Sequence, residues 1–232
     1  MSRRVERVRV GTATLPELAA HEIAEMLSTA VRERGRASLA LAGGTTPRAA
    51  YERLAAETVP WASVSIYFGD ERCVPPDHSD SNYRMAHEAL FARLPQPPAQ
   101  IERMAGESSD YDGAARAYEG VLPEALDVLV LGVGEDGHTA SLFPGSSALF
   151  EATRRVLPVI GPKPPPQRLT ITPPVLKAAR SVVVLAAGAG KAPAVARALE
   201  GELDISSCPS QLVRDALWLM DHAAAAELSG KW

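Results

Sequence analysis

A chain of 232 residues with 46% hydrophobic and 22% charged residues has ordinary globular usage, which excludes global disorder. Its formal net charge of −4 argues against a nucleic-acid partner, since such proteins carry a basic excess on one face. Two cysteines, Cys73 and Cys208, are too few for a disulfide framework or a four-thiolate zinc site, and read as reduced structural thiols of a cytoplasmic protein.

The opening residues carry Arg3 and Arg4 with no apolar run behind them, so no export signal is expected. Residues 15–34 place Leu18, Ile23, Leu27 and Val31 largely on one helical stripe. Residues 37–42 then read as a buried strand, running into Gly43-Gly44-Thr45-Thr46-Pro47 and a helix through Tyr51 and Leu54. Two glycines admit a ligand close to the backbone, and the exposed N–H groups of the helix start suit an anion. The alternative is a plain turn with threonine caps.

A second strand over 64–68 leads into Gly69-Asp70-Glu71-Arg72 and a long polar loop, where Asp70 and Arg72 either meet a substrate or are merely solvated. Ser81 or Asp80 is expected to cap a helix over 82–94, ended by the prolines from Pro95 onward. A third strand over 127–131 precedes Gly132-Val133-Gly134-Glu135-Asp136-Gly137-His138. The Gly132-x-Gly134-x-x-Gly137 spacing formally matches a dinucleotide fingerprint, but no helix opens at Gly137 and no ribose-binding acid follows. Asp136 and His138 together suit general-base work, because histidine titrates near neutrality and a carboxylate orients its ring; the alternative is a histidine that merely hydrogen-bonds within the turn. Whether Asp70 or Asp136 does the orienting stays open.

Strand-like runs at 156–160 and 168–172 flank the proline-rich 161–166, read as an extended surface loop. The clearest strand, 181–185, runs into Gly188-Ala189-Gly190-Lys191 and a helix over 192–199; the apolar run here is far shorter than the roughly 18 residues of a membrane span. Lys191 opposes the favoured sign of the helix dipole, which is easier to understand if it shares an anion with Arg168; the alternative is two exposed surface cations. The tail at 223–228 is expected to be helical. The alternation as a whole predicts an α/β fold with a mostly parallel sheet and helices on both faces, residues 1–232 forming a single domain. Ligands of such sheets sit beyond the carboxyl ends of the strands, where these loops lie. Neither a G-x-S-x-G elbow nor an H-E-x-x-H pair occurs.

Ala42-Gly43-Gly44-Thr45-Thr46-Pro47, Asp70-Glu71-Arg72 with Ser81-Asn82-Tyr83, and the segment from Gly132 to Pro144 together resemble the 6-phosphogluconolactonases. Those enzymes share a superfamily with the glucosamine-6-phosphate deaminases. Arg168-Leu169-Thr170 and Gly190-Lys191 complete the likeness, which runs from about Leu39 to Lys191. It implies a Rossmann-like sheet, no cofactor, and hydrolysis of 6-phospho-D-glucono-1,5-lactone in the oxidative pentose phosphate pathway. It also implies roles: His138 as the base, Asp70 and Arg72 as a substrate-facing pair, and Gly43, Gly44, Thr45, Asn82, Arg168 and Lys191 as the substrate and phosphate cradle. Where the deaminases carry Asn-Glu-Pro this chain has Leu142-Phe143-Pro144, and Phe143 cannot relay a proton. The expected partner is thus a small sugar-phosphate lactone, with no nucleic acid or membrane, and the protein a monomer or weak homo-oligomer. An amino-sugar-phosphate isomerase or deaminase, and a non-catalytic sugar-phosphate regulator, are the alternatives.

Overall fold

The computed structural model describes residues 6–230. Seven strands form one sheet in the order β1 (Glu6–Val10), β10 (Leu217–Asp221), β9 (Ser181–Ala186), β6 (Val128–Gly132), β2 (Ala37–Leu41), β3 (Val64–Phe68), β5 (Gln100–Ile101). Every pairing in it is parallel. A second, three-stranded antiparallel sheet orders β4 (Asp70–Arg72), β8 (Gln167–Ile171) and β7 (Val156–Ile160).

Both faces of the large sheet are covered, as the apolar runs predict. Along β6, Val128 and Val130 join one core cluster while Leu129 and Leu131 join another; β9 divides Val183 and Leu185 from Val182 and Val184 in the same way. This period-two alternation sends successive side chains to opposite faces. One face is packed by α1 (Leu15–Arg34), α2 (Thr45–Leu54) and α3 (Asn82–Ala89). The other is packed by α4 (Tyr111–Val121), α5 (Pro173–Ala178) and α6 (Ala192–Glu200).

Helix α1 has the bounds expected, stopping at Gly35 in the left-handed region (φ 73°), whose N–H bonds Val31 O. Its fully buried residues include Ile23 and Leu27, each contributing about 1.5–3 kcal/mol by burial, while Leu18 and Val31 sit at the edge of the stripe. Helix α3 is shorter than expected. It ends at Ala89, and Phe91–Arg93 form a 3-10 turn before Leu94 adopts the extended backbone that Pro95 imposes. Residues 222–227 form consecutive turns rather than a helix. Buried Asp221 accepts the N–H of Ala224 on its side chain and that of Ala225 on its carbonyl, as a helix cap does. The bonds that follow, Ala226 N–H to Ala223 O and Leu228 N–H to Ala225 O, span three residues and do not continue an α-helical ladder.

The sheet order places the site. From β2 the chain steps outward to β3, whereas from β6 it steps the other way to β9, so the connections diverge between β2 and β6. A crevice opens at the carboxyl ends of such a pair. Two buried phenols fix the strand ends there: Tyr51 bridges the N–H and carbonyl of Ala42 (2.8 and 3.1 Å), and Tyr118 those of Phe68 (2.7 and 3.1 Å).

Candidate active site

A cleft of ≈ 470 Å³ occupies this crevice and is lined by Gly43, Gly44, Asp70, Arg72, Asp136, His138, Arg168 and Lys191. Eight of the sequence-predicted residues are thereby brought together from five segments, the loops after β2, β6 and β9 and the strands β4 and β8. Thr45 and Asn82 line a smaller adjoining pocket that shares Gly44 and Arg72 with the cleft.

The loop after β2 leaves an anion-binding edge open. Gly44, at φ 104°, is the N-cap of α2 and makes no side-chain cap, so the threonine-capped turn is not formed and the first N–H groups of the helix stay available. Gly43 has no room for a side chain, since a Cβ there would overlap the Asn82 amide.

Asp70, Glu71 and Arg72, read from sequence as part of a polar loop, form strand β4, and pleating sorts their charges. Asp70 and Arg72 point to one face opposite Thr170 and Arg168, and Glu71 to the other opposite Leu169. Glu71 is buried and accepts from Ser81 Oγ (3.0 Å) and the N–H groups of Asn82 and Tyr83 (2.7 and 2.8 Å), tying down the start of α3. Burial pushes its carboxyl up, against those hydrogen bonds. Ser81 is the residue that caps α3, accepting from Arg84 N–H at 3.2 Å. Asn82 is buried and its amide donates to Asp70, at the carbonyl (2.8 Å) and at Oδ1 (3.1 Å), so it braces the site from behind. The second Asp70 oxygen accepts from Ser141 Oγ at 2.6 Å. Ser141, fully buried, was not among the predicted residues although it lies in the same segment as His138.

The loop after β6 opens no helix at Gly137. It turns back instead: Gly134 N–H bonds His138 O (2.8 Å) and Gly137 N–H bonds Gly134 O (3.0 Å). This places His138 Nδ1 2.6 Å from Asp136 Oδ1. Burial alone raises the Asp136 carboxyl, but hydrogen bonding and charge from His138 outweigh it and hold the group at about 2. An ionised carboxylate can only accept, so Nδ1 is the donor, and in the neutral form of the ring Nε2 is the proton acceptor. Asp136, and not Asp70, orients the ring. Its other flank meets Phe143, ring centroids 4.9 Å apart.

Cations converge from the second sheet and from the loop after β9. Arg168 is 9% exposed, and burial together with neighbouring Arg72 lowers its guanidinium below the usual range. Lys191 sits at the start of α6 as expected, on a loop whose Gly188 N–H is held by both Asp221 oxygens (3.0 and 3.1 Å). Glu135 and Lys163 also line the cleft and were missed; Lys163 announced itself only as a cation inside the proline run before Arg168. Cys73 and Cys208 are free thiols, and burial beside Glu71 pushes Cys73 up to about 11. Among the described residues, no cluster of three or more His, Cys, Asp or Glu side chains could hold a metal ion, and no helix is long and apolar enough to cross a membrane.

Residues 12–219 match the family model described as glucosamine-6-phosphate isomerases/6-phosphogluconolactonase. A 6-phosphogluconolactonase from Nostoc sp. is 40% identical over 217 residues, covering 88% of this chain and 89% of its own. The human 6-phosphogluconolactonase is 38% identical over 234 residues, covering 94% and 89%. The solved structure of the Trypanosoma brucei 6-phosphogluconolactonase superposes with a TM-score of 0.86 at 30% identity, covering 98% of this chain and 100% of that one. With a cleft, a histidine–carboxylate pair and a cation cluster on this fold, the chain belongs to the glucosamine-6-phosphate isomerase/6-phosphogluconolactonase family.

Proposed function

We propose that the protein hydrolyses 6-phospho-D-glucono-1,5-lactone to 6-phospho-D-gluconate, with His138 as general base. The reading takes residues 1–232 as one catalytic unit working in the cytoplasm. The observation that carries it is the Asp136–His138 pair, oriented by a 2.6 Å contact and opening onto the same cleft as Arg168 and Lys191. Anchoring the 6-phosphate on Arg168, Lys191 and the first N–H groups of α2 sets the lactone ring across the cleft with C1 toward His138.

In this mechanism Nε2 of neutral His138 takes a proton from water as the oxygen attacks C1. Asp136 stabilises the imidazolium that forms as negative charge develops on the lactone oxygen. When the tetrahedral intermediate collapses, the C1–ring-oxygen bond breaks and His138 returns its proton to the departing alkoxide. A placed base supplies about 10²–10⁴-fold, which suits an ester as reactive as a lactone. Phe143 packs on the imidazole and offers no titratable group, so the proton relay that an amino-sugar isomerase needs is missing from that position.

The test is a stopped-flow pH-indicator assay on freshly generated 6-phosphogluconolactone. Acid release well above the spontaneous rate supports the assignment. Release at the spontaneous rate, with ammonia produced from glucosamine 6-phosphate instead, overturns it.

A further inference from the structure

The six residues 161–166 that link β7 to β8 form a strap along one wall of the cleft. Four of them are proline, which leaves the backbone few alternatives, and Gly161 N–H closes the strap on Pro166 O at 2.7 Å. The strap is attached to the site at both ends. Arg168 donates to it from Nε to Pro165 O (2.8 Å) and from Nη2 to Lys163 O (3.4 Å). At the other end a Cβ on Gly161 would come within 2.9 Å of the Phe143 ring, and that ring packs on His138. The strap therefore bridges the guanidinium at the cationic end and the aromatic wall beside the histidine.

On this strap Lys163 lines the cleft, yet it is solvent-exposed and its ammonium makes no ion pair with any described residue. A fold needs no cation at such a place. Its main chain is already bonded to the Arg168 guanidinium, so the four-carbon stem starts from the Arg168 end of the cleft. The same wall holds Arg72 and Arg168 as direct cross-strand partners. Lys163 adds a third cation to this wall, where the Asp70 and Asp80 carboxylates already favour the charged Arg168, and an anion shared among the cations lowers their mutual repulsion further. A phosphate dianion has the charge and the acceptor oxygens to take all three, and a lysine, with three rotatable donors on a flexible stem, is suited to bending over a ligand after it enters.

Resting on the lactonase reading above, we infer that Lys163 is a substrate-binding residue that grips the 6-phosphate from the strap side and sets the preference for phosphorylated over unphosphorylated lactone. The experiment compares Lys163→Met and Lys163→Arg with the parent protein on two substrates, 6-phosphogluconolactone and unphosphorylated glucono-1,5-lactone. It also measures the affinity for 6-phosphogluconate by calorimetry. Because Lys163 is exposed and its carbonyl bond is made by the main chain, both variants keep the fold.

The expected result is a rise of about ten-fold in KM for the phosphorylated lactone and in Kd for 6-phosphogluconate in Lys163→Met, the worth of one partly solvated charge-assisted bond. Lys163→Arg recovers most of it, and the unphosphorylated substrate is affected less than two-fold, roughly the noise of such a difference. No change in either constant, or an equal loss on both lactones, overturns the inference. If the parent protein fails to hydrolyse either lactone, the lactonase reading falls, while the calorimetric comparison still decides whether Lys163 binds the phosphate.

Discussion

Arg72 and Arg168 stand directly opposite one another in the antiparallel pair of β4 and β8. Like charges facing each other across a ladder destabilise it by about 0.2–1 kcal/mol, and here burial and the neighbouring Arg72 both disfavour the charged form of Arg168. The pairing is reasonable as half of an ion cluster whose other half is the phosphate of the substrate.

Arg168→Met therefore trades binding for relief of repulsion. KM for the phosphorylated lactone is expected to rise about 10- to 100-fold, following loss of a buried charge-assisted bond. Thermal melts with and without inorganic phosphate check the origin of the effect. The parent protein gains stability from phosphate, and the variant gains much less. An equal gain in both places the anion elsewhere.

His138→Ala removes the proton acceptor and leaves the cations in place. The expected outcome is a fall in kcat of about 10²–10⁴-fold with KM nearly unchanged. Steady-state kinetics on freshly made lactone suffice, and parent-like turnover rejects His138 as the base.

Asp136 gives a pH signature in stability. Its carboxyl is held at about 2 in the folded protein, below the usual value of about 3.9, because the hydrogen bond and charge of His138 outweigh burial. A depressed carboxylate contributes stability that is fully present above the unfolded value and is lost as pH falls through the folded one. Urea melts of the parent and of Asp136→Asn should thus differ most above about pH 4 and converge toward pH 2. A difference that grows as pH falls from about 4 toward 2 contradicts the assignment.

Gly43→Ala tests the brace behind the cleft. A Cβ at this position overlaps the Asn82 amide, which must leave its bonds to Asp70. The expected cost is about 1–3 kcal/mol in chemical melts, accompanied by a loss of kcat/KM. Unchanged stability would mean that Asn82 rearranges freely and that its contact with Asp70 matters little.

The sequence was most informative where periodicity was long or strands were buried on both faces. Helix α1 could be read to its last residue because its stripe, its paired arginines in the last turn and Gly35 all agree. Strand β4 was hidden, since three consecutive charges look solvated until a partner strand divides them between two faces. Strand β10 was also missed: Leu217–Asp221 becomes legible only with β1 on one side and β9 on the other. In the site, His138 and Asp136 are two residues apart and their contact followed from local turn chemistry. The Ser141–Asp70 bond spans 71 residues, and the bond between Arg168 and the strap depends on how a proline-rich segment folds back; neither leaves a periodic trace.

The position of Gly69 carries a last consequence. Its N–H bonds Leu41 O in the large sheet at 2.9 Å and its carbonyl takes the Ile171 N–H of the small one at 2.9 Å, so a single residue stitches the two sheets together. Beyond that stitch, strand alternation alone dictates which charges see the substrate. Sliding β8 by one place against β4 would swing Arg168 away and present Leu169 instead. An insertion or deletion in the short β7–β8 connection is therefore expected to abolish recognition while every reacting group keeps its identity, which makes alignment of the small sheet as decisive for turnover as the histidine itself.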